Sequence, residues 1–163
     1  MTLSDNLQQL LAVIIIMMMG FFLQELPGSN VLQSALPEWP FLFTLYFSVS
    51  SRYFFGVFSA FLVGMTEDVF LGVPVLGLHA VIYVLAAFIM LAMRLRFKHM
   101  SMTGQSIFIG ILVLAKIIVT VVFESIWYSP SAHYWIALSI PLSILVWPMI
   151  NLFFGFFFVK HAA

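Results

Sequence analysis

Gly64-Met65-Thr66-Glu67-Asp68-Val69-Phe70-Leu71-Gly72-Val73-Pro74-Val75-Leu76-Gly77-Leu78-His79-Ala80 places two adjacent carboxylates inside an apolar run and then punctuates it with two glycines and a proline. Upstream, Tyr53 to Leu71 is apolar enough for a membrane helix; downstream, Leu76 to Met93 is as well. Gly72, Pro74 and Gly77 are the residues a tight reversal uses, because they supply left-handed or fixed backbone geometry. The stretch therefore reads as one buried helix turning directly into the next, with Glu67 and Asp68 held near the turn.

The composition agrees with that reading along the whole chain. Of 163 residues, 64% are hydrophobic and 7% are charged, whereas soluble domains are roughly 45–50% apolar and about 25% charged. Six acidic and six basic residues are too few to keep a globule of this size dissolved, which excludes a soluble enzyme or binding module. The formal net charge is zero, so no basic field exists to attract nucleic acid. With no cysteine, disulfide frameworks, thiolate metal sites and cysteine nucleophiles are excluded together. At roughly 20 residues per crossing, the length accommodates five or six spans and no sizeable extramembrane domain.

Six spans are expected, at about 7–26, 39–51, 53–71, 76–93, 105–127 and 135–159, in a single integral membrane domain covering 1–163. The N-terminus does not read as a cleavable signal, because Asp5 but no Lys or Arg precedes the first apolar run. Pro27 to Glu38 has a loop composition. The second span is short, so it either thins the bilayer locally or packs inside the bundle. Arg94, Arg96, Lys98 and His99 form the dense basic cluster, which faces the cytoplasm by the positive-inside rule. Counting outward from it puts Arg52, Lys160, His161 and both termini on that side. Glu25 and Glu38 then fall outside, as do the interfacial rings of Trp39, Trp127, Tyr128, Tyr134 and Trp135. The tail containing Phe153, Phe154, Phe156, Phe157 and Phe158 reads as lipid-facing.

Within the spans, Glu67, Asp68, Lys116 and Glu124 are the residues that cost energy to place, about 2.5–3.5 kcal/mol each at a helix centre. Counted along their helices, Asp68 lies about 22 Å and Lys116 about 16 Å above the inner surface. A lysine side chain spans that difference, so Lys116 is expected to pair with Asp68 or Glu67. Such a pair either holds two helices in register or belongs to a proton, cation or polar-substrate path. Glu124 lies two turns above Lys116, near the outer boundary. Gly56, Ala60 and Gly64 form a small-residue stripe that lets a neighbouring backbone approach closely, in this chain or in a partner. Pro141 and Pro148 interrupt the last span, with Trp147 and Asn151 flanking the second, so a kink is expected there. His79 and His133 lack the i, i+4 partners of a metal site, and His79 reads as a hydrogen-bonding anchor. No serine elbow, paired-aspartate, HExxH or phosphate-loop pattern occurs, so no catalytic apparatus and no cofactor are expected.

The stretch from Gly64 to Ala80 resembles the signature region of the rod shape-determining protein MreD family: a Gly, an Asp four residues on, another Gly, and a Leu-Gly pair opening the next span. Pro37-Glu38-Trp39 is similar to that family's Pro-x-Trp pattern before a short second span, and Trp147-Pro148 matches a Trp-Pro found in some members. Length, span number and the basic segment after the fourth span agree, whereas Lys116 corresponds to no family pattern. The resemblance implies a non-enzymatic inner-membrane subunit of the bacterial cell-elongation complex. It further implies direct binding to MreC and, through it, association with MreB filaments, RodA and a class B penicillin-binding transpeptidase. The implied fold is similar to the six-helix substrate-binding subunit of energy-coupling-factor vitamin transporters. By the same resemblance Asp68, Gly64, Gly72, Pro74 and Gly77 are the motif residues. On physical grounds Asp68 is expected to fix the end of the third helix, and the glycines and proline to shape the re-entry into the fourth.

The competing reading on the same architecture is a vitamin-binding transporter subunit, with Asp68, His79, Glu124 and Tyr128 lining an outward cavity. Against it, the first span is Leu, Ile and Met, with Ala12 and Gly20 too far apart for the small-residue docking motif of such subunits. A proton-coupled transporter half is disfavoured by the single intramembrane lysine and the small size.

Overall fold

Long apolar stretches with no water to bond their backbone must satisfy every amide internally, which leaves helices as the available structure. The computed structural model describes residues 3–24, 36–50, 55–72, 76–127 and 134–159, and is helical with no strand among them. The α-helices are α1 (Leu3–Gln24), α2 (Trp39–Ser50), α3 (Val57–Leu71), α4 (Leu78–Ala92), α5 (Arg94–His99), α6 (Met102–Trp127) and α7 (Ser139–Val159), with a 3-10 turn at Tyr134–Leu138 before α7. Glu25, Arg52, Tyr53, Pro74, Tyr128, His133, Lys160 and His161 lie outside the described residues. So do the side chains of Glu124, Trp127, Tyr134, Trp135, Phe157 and Phe158.

Three segments are long and apolar enough to cross a membrane by length and composition: Leu7–Gln24, Met102–Phe123 and Ile136–Phe156. The helices between them are shorter. With 15 residues each, α3 and α4 reach about 22 Å, against an apolar core of about 30 Å. Helix α2 has 12 residues, about 18 Å.

Helix α2 is the centre of the bundle. All ten residues from Pro40 to Val49 are buried, and α2 packs on α1, α3, α4, α5 and α7. Of the two arrangements left open for a short second span, the structure adopts the packed one. The helix can sit there because its polar groups are spent internally. Thr44 Oγ1 donates to Pro40 O and Ser48 Oγ to Thr44 O, both at 2.8 Å. Pro40 falls in the first turn, where its missing N–H has no intrahelical use. Around α2, lipid removes most of the hydrophobic drive, so close packing carries the association. Helices α3 and α4 form the most extensive pair, followed by α6 and α7.

One expectation from sequence is corrected here. Phe154 does not face lipid: it is 5% exposed and packs edge-on against Phe43 (5.3 Å) and at a tilt against Tyr46 (5.1 Å) and Phe47 (5.6 Å) of α2. Phe153 and Phe156 are exposed. The basic cluster after the fourth span forms the short helix α5, pinned by Phe97, whose ring meets Phe108 and Trp147.

Candidate functional site

The end of the bundle where α3 turns into α4 contains the first polar cluster. Gly72 adopts the left-handed conformation (φ 58°, ψ 33°) and its N–H closes α3 on the carbonyls of Asp68 and Val69. Gly77, also left-handed at φ 106°, precedes α4. The first amides of a helix have no intrahelical acceptor, and here Asp68 supplies it from the preceding helix. Its carboxylate accepts from Gly77 N (2.9 Å), His79 N (3.1 Å), Ala80 N (3.3 Å) and the His79 ring Nδ1 (2.9 Å). Asp68 is fully buried, and the positive end of α4 stabilises a carboxylate there. The side chain therefore fixes the start of α4 rather than the end of α3, which Gly72 provides.

Tight apposition of the two helices makes that reach possible. A Cβ on Gly64 would lie 2.5 Å from Ala80 Cα and 2.7 Å from both Ala80 N and His79 O, so α3 and α4 touch backbone to backbone at this point. Ala60 is fully buried one turn below. Gly56 does not belong to the contact: a Cβ there would meet nothing within 4 Å. The small-residue stripe thus works through an internal neighbour, and only over its upper half.

The second cluster surrounds Lys116, 4% exposed on α6. Its ammonium donates to Glu67 Oε1 at 3.0 Å and to Glu38 Oε2, and Tyr83 of α4 donates its hydroxyl to Glu67 Oε2. The rings of Phe41 and Tyr83 lie 5.2 and 5.3 Å from Nζ, close enough to add cation–π attraction. Of the two partners expected for Lys116, Glu67 is used; Asp68 is engaged with α4. Sequence reasoning missed Glu38 and Tyr83. Glu38 sits just before α2, and its carbonyl accepts the Leu42 amide, so the sinking of α2 into the bundle brings this carboxylate down to Lys116. Four helices converge on one ammonium.

Beside this cluster opens a cleft of ≈ 370 Å³ between the ends of α1, α3 and α6 and the starts of α2 and α7. Glu38, Glu67, Gln24, Thr120 and Ser139 bring polar groups to it, among apolar walls that include Phe21, Phe70 and Ile117. Gln24 Oε1, Thr120 Oγ1 and Ser139 Oγ are shielded and lack hydrogen-bond partners among the described residues. The lining differs from the expected one, because Asp68 and His79 are bound to each other and Glu124 and Tyr128 fall outside the described side chains.

Midway along α7, Trp147 is 1% exposed and packs on Tyr46 and Phe97. Pro148 lies inside α7, which runs unbroken from Ser139 to Val159. Asn151, one turn from Trp147, donates to Gln105 Oε1 at 3.0 Å, and Gln105 donates in turn to the carbonyls of Phe97 and Met100. This second polar chain ties α7 to the end of α5.

A family model described as rod shape-determining protein MreD matches residues 4–157 of the chain. No curated protein and no solved structure matches it.

Proposed function

Because the chain belongs to the rod shape-determining protein MreD family, and so to the cell-shape machinery, we propose that it acts there as a non-enzymatic subunit of the elongation complex. It binds MreC directly and, through MreC, helps couple MreB filaments to peptidoglycan synthesis by RodA and a class B penicillin-binding transpeptidase. In this reading it is a single, six-span domain of the inner membrane with both termini in the cytoplasm. The basic helix α5 lies at the cytoplasmic face and the Asp68 turn at the outer one. The helices shorter than the bilayer cross as parts of a packed bundle, similar to the transporter subunits named above.

The observation that carries the proposal is the family match over nearly the whole chain. The structure adds physical support. The large apolar side chains of α3 and α4, among them Phe58, Leu62, Phe70, Leu85 and Phe88, are exposed and offer membrane-level faces to a partner helix. Asp68 contributes indirectly, by fixing the hairpin that presents those faces.

Affinity purification of the tagged protein from its native membrane in mild detergent, followed by mass spectrometry, tests the assignment. Near-stoichiometric recovery of MreC is expected. Recovery of transporter ATPase subunits without MreC would overturn it.

A further inference from the structure

We propose that the cleft beside Lys116 binds the ammonium group of an amphiphilic amine, its hydrocarbon lying along the apolar walls. The shared chemistry is an alkylammonium, supplied either by an aminophospholipid headgroup or by a free amine. This inference stands apart from the family reading.

Charge balance comes first. Glu38 and Glu67 face a single ammonium, Lys116, and none of the residues lining the cleft is basic. Asp68 does not enter this balance, since its carboxylate is occupied by the start of α4. With all three groups ionised the cluster carries one excess negative charge. A bare charge in an apolar environment is costly, and such groups are retained where a counter-charge meets them. Glu38 is the more open carboxylate, with its side chain 23% exposed against 10% for Glu67, so it is the one a ligand reaches.

The independent observation is the set of unpartnered acceptors. Ser139 is 2% exposed, lines the cleft and has no partner for its hydroxyl among the described residues; Thr120 Oγ1 and Gln24 Oε1, on half-buried residues, are likewise shielded and unpartnered. Buried polar groups are normally paired, and exceptions mark a missing partner. A primary ammonium carries three donors and no acceptor, which suits a carboxylate flanked by oxygen atoms. Phe21, Phe70, Ile117 and Val121 give the remaining wall an apolar character, and ≈ 370 Å³ falls within the range of about 300–1,000 Å³ typical of small-ligand sites.

The test uses the full chain in nanodiscs of equal phosphatidylethanolamine and phosphatidylglycerol, released into the gas phase for native mass spectrometry. In parallel, thermal stability in detergent is followed with n-octylamine and with n-octanol, which share an apolar body but not the charge. Retention of phosphatidylethanolamine at least tenfold over phosphatidylglycerol identifies a lipid as the source. Stabilisation by octylamine without lipid preference identifies a free amine. In either case Glu38→Gln, which leaves Glu67 and Lys116 balanced one to one, is expected to reduce the effect at least fivefold. Ser139→Ala provides a second reading that leaves the ion pairs intact, should Glu38→Gln fold poorly. Equal stabilisation by octanol and octylamine, or no lipid preference together with no response to octylamine, would overturn the proposal.

Discussion

Replacing Asp68 by Asn removes one acceptor oxygen at almost constant volume. Oδ2 serves Gly77 N and Ala80 N, and Oδ1 serves His79 N and the His79 ring. If the NH2 takes the Oδ2 place, the Gly77 and Ala80 amides both lose their acceptor; if it takes the Oδ1 place, the His79 amide loses its own, while the ring can switch tautomer and accept. Hydrogen bonds to a charged group contribute about 1.5–3 kcal/mol each, so the one or two losses cost about 1.5–6 kcal/mol. A chain of this size loses roughly 2–4 °C of melting midpoint per kcal/mol, which places the fall between about 3 and 24 °C. Glu67→Gln is the control in the adjacent position, because Lys116 keeps Glu38 as a partner. Both variants are purified in the same detergent, and thermal midpoints and monodisperse yield are compared. Asp68→Asn is expected to fall further on both, and to retain less MreC at equal loading. A midpoint for Asp68→Asn equal to or above that of Glu67→Gln would refute the capping argument.

Gly64→Ala puts a methyl group 2.5 Å from Ala80 Cα, where only a backbone shift relieves the clash. Overpacking of this kind costs about 1–3 kcal/mol, read as lost folded yield, while Gly56→Ala is expected to be neutral. Phe154→Ala opens a cavity among Phe43, Tyr46 and Phe47 and is expected to cost about 3–5 kcal/mol. Phe153→Ala, 59% exposed, should leave the midpoint nearly unchanged, and similar effects at the two positions would show that the packing of α7 on α2 is wrong.

The parts of the fold that were legible in sequence are those marked by a rare residue in an apolar background. Gly72 and Gly77 stand out because a tight reversal needs φ > 0, and both adopt it. Lys116 stands out by cost, and depth counting along the two helices put Asp68 or Glu67 within its reach, of which the structure uses Glu67. Glu38 was not legible as part of that cluster. It flanks a polar segment, and nothing local says that α2 sits deep enough to carry it to a partner 78 positions along the chain. Phe154 was illegible for another reason. Amphipathic periodicity identifies a buried face only when the other face is polar, and in α7 both lipid and core favour Phe, Leu and Ile. Which phenylalanine turns inward is decided by Phe43, Tyr46 and Phe47 of a helix about a hundred residues earlier.

The adjacency of Glu67 and Asp68 has a structural consequence of its own. Neighbours on a helix point about 100° apart, so two consecutive carboxylates cannot serve the same partner face. Asp68 turns toward the first amides of α4 and closes the α3–α4 hairpin on itself. Glu67 turns toward Lys116 and Tyr83 and bolts that hairpin to α6 and, through the shared ammonium, to the start of α2. One peptide unit thus separates an interaction that forms the hairpin from one that docks it. Losing the first disorders the start of α4 locally. Losing the second leaves the hairpin intact but weakens its seat on α6, beside the cleft that Glu38 lines. The two carboxylates are therefore not interchangeable, although the sequence presents them as a pair.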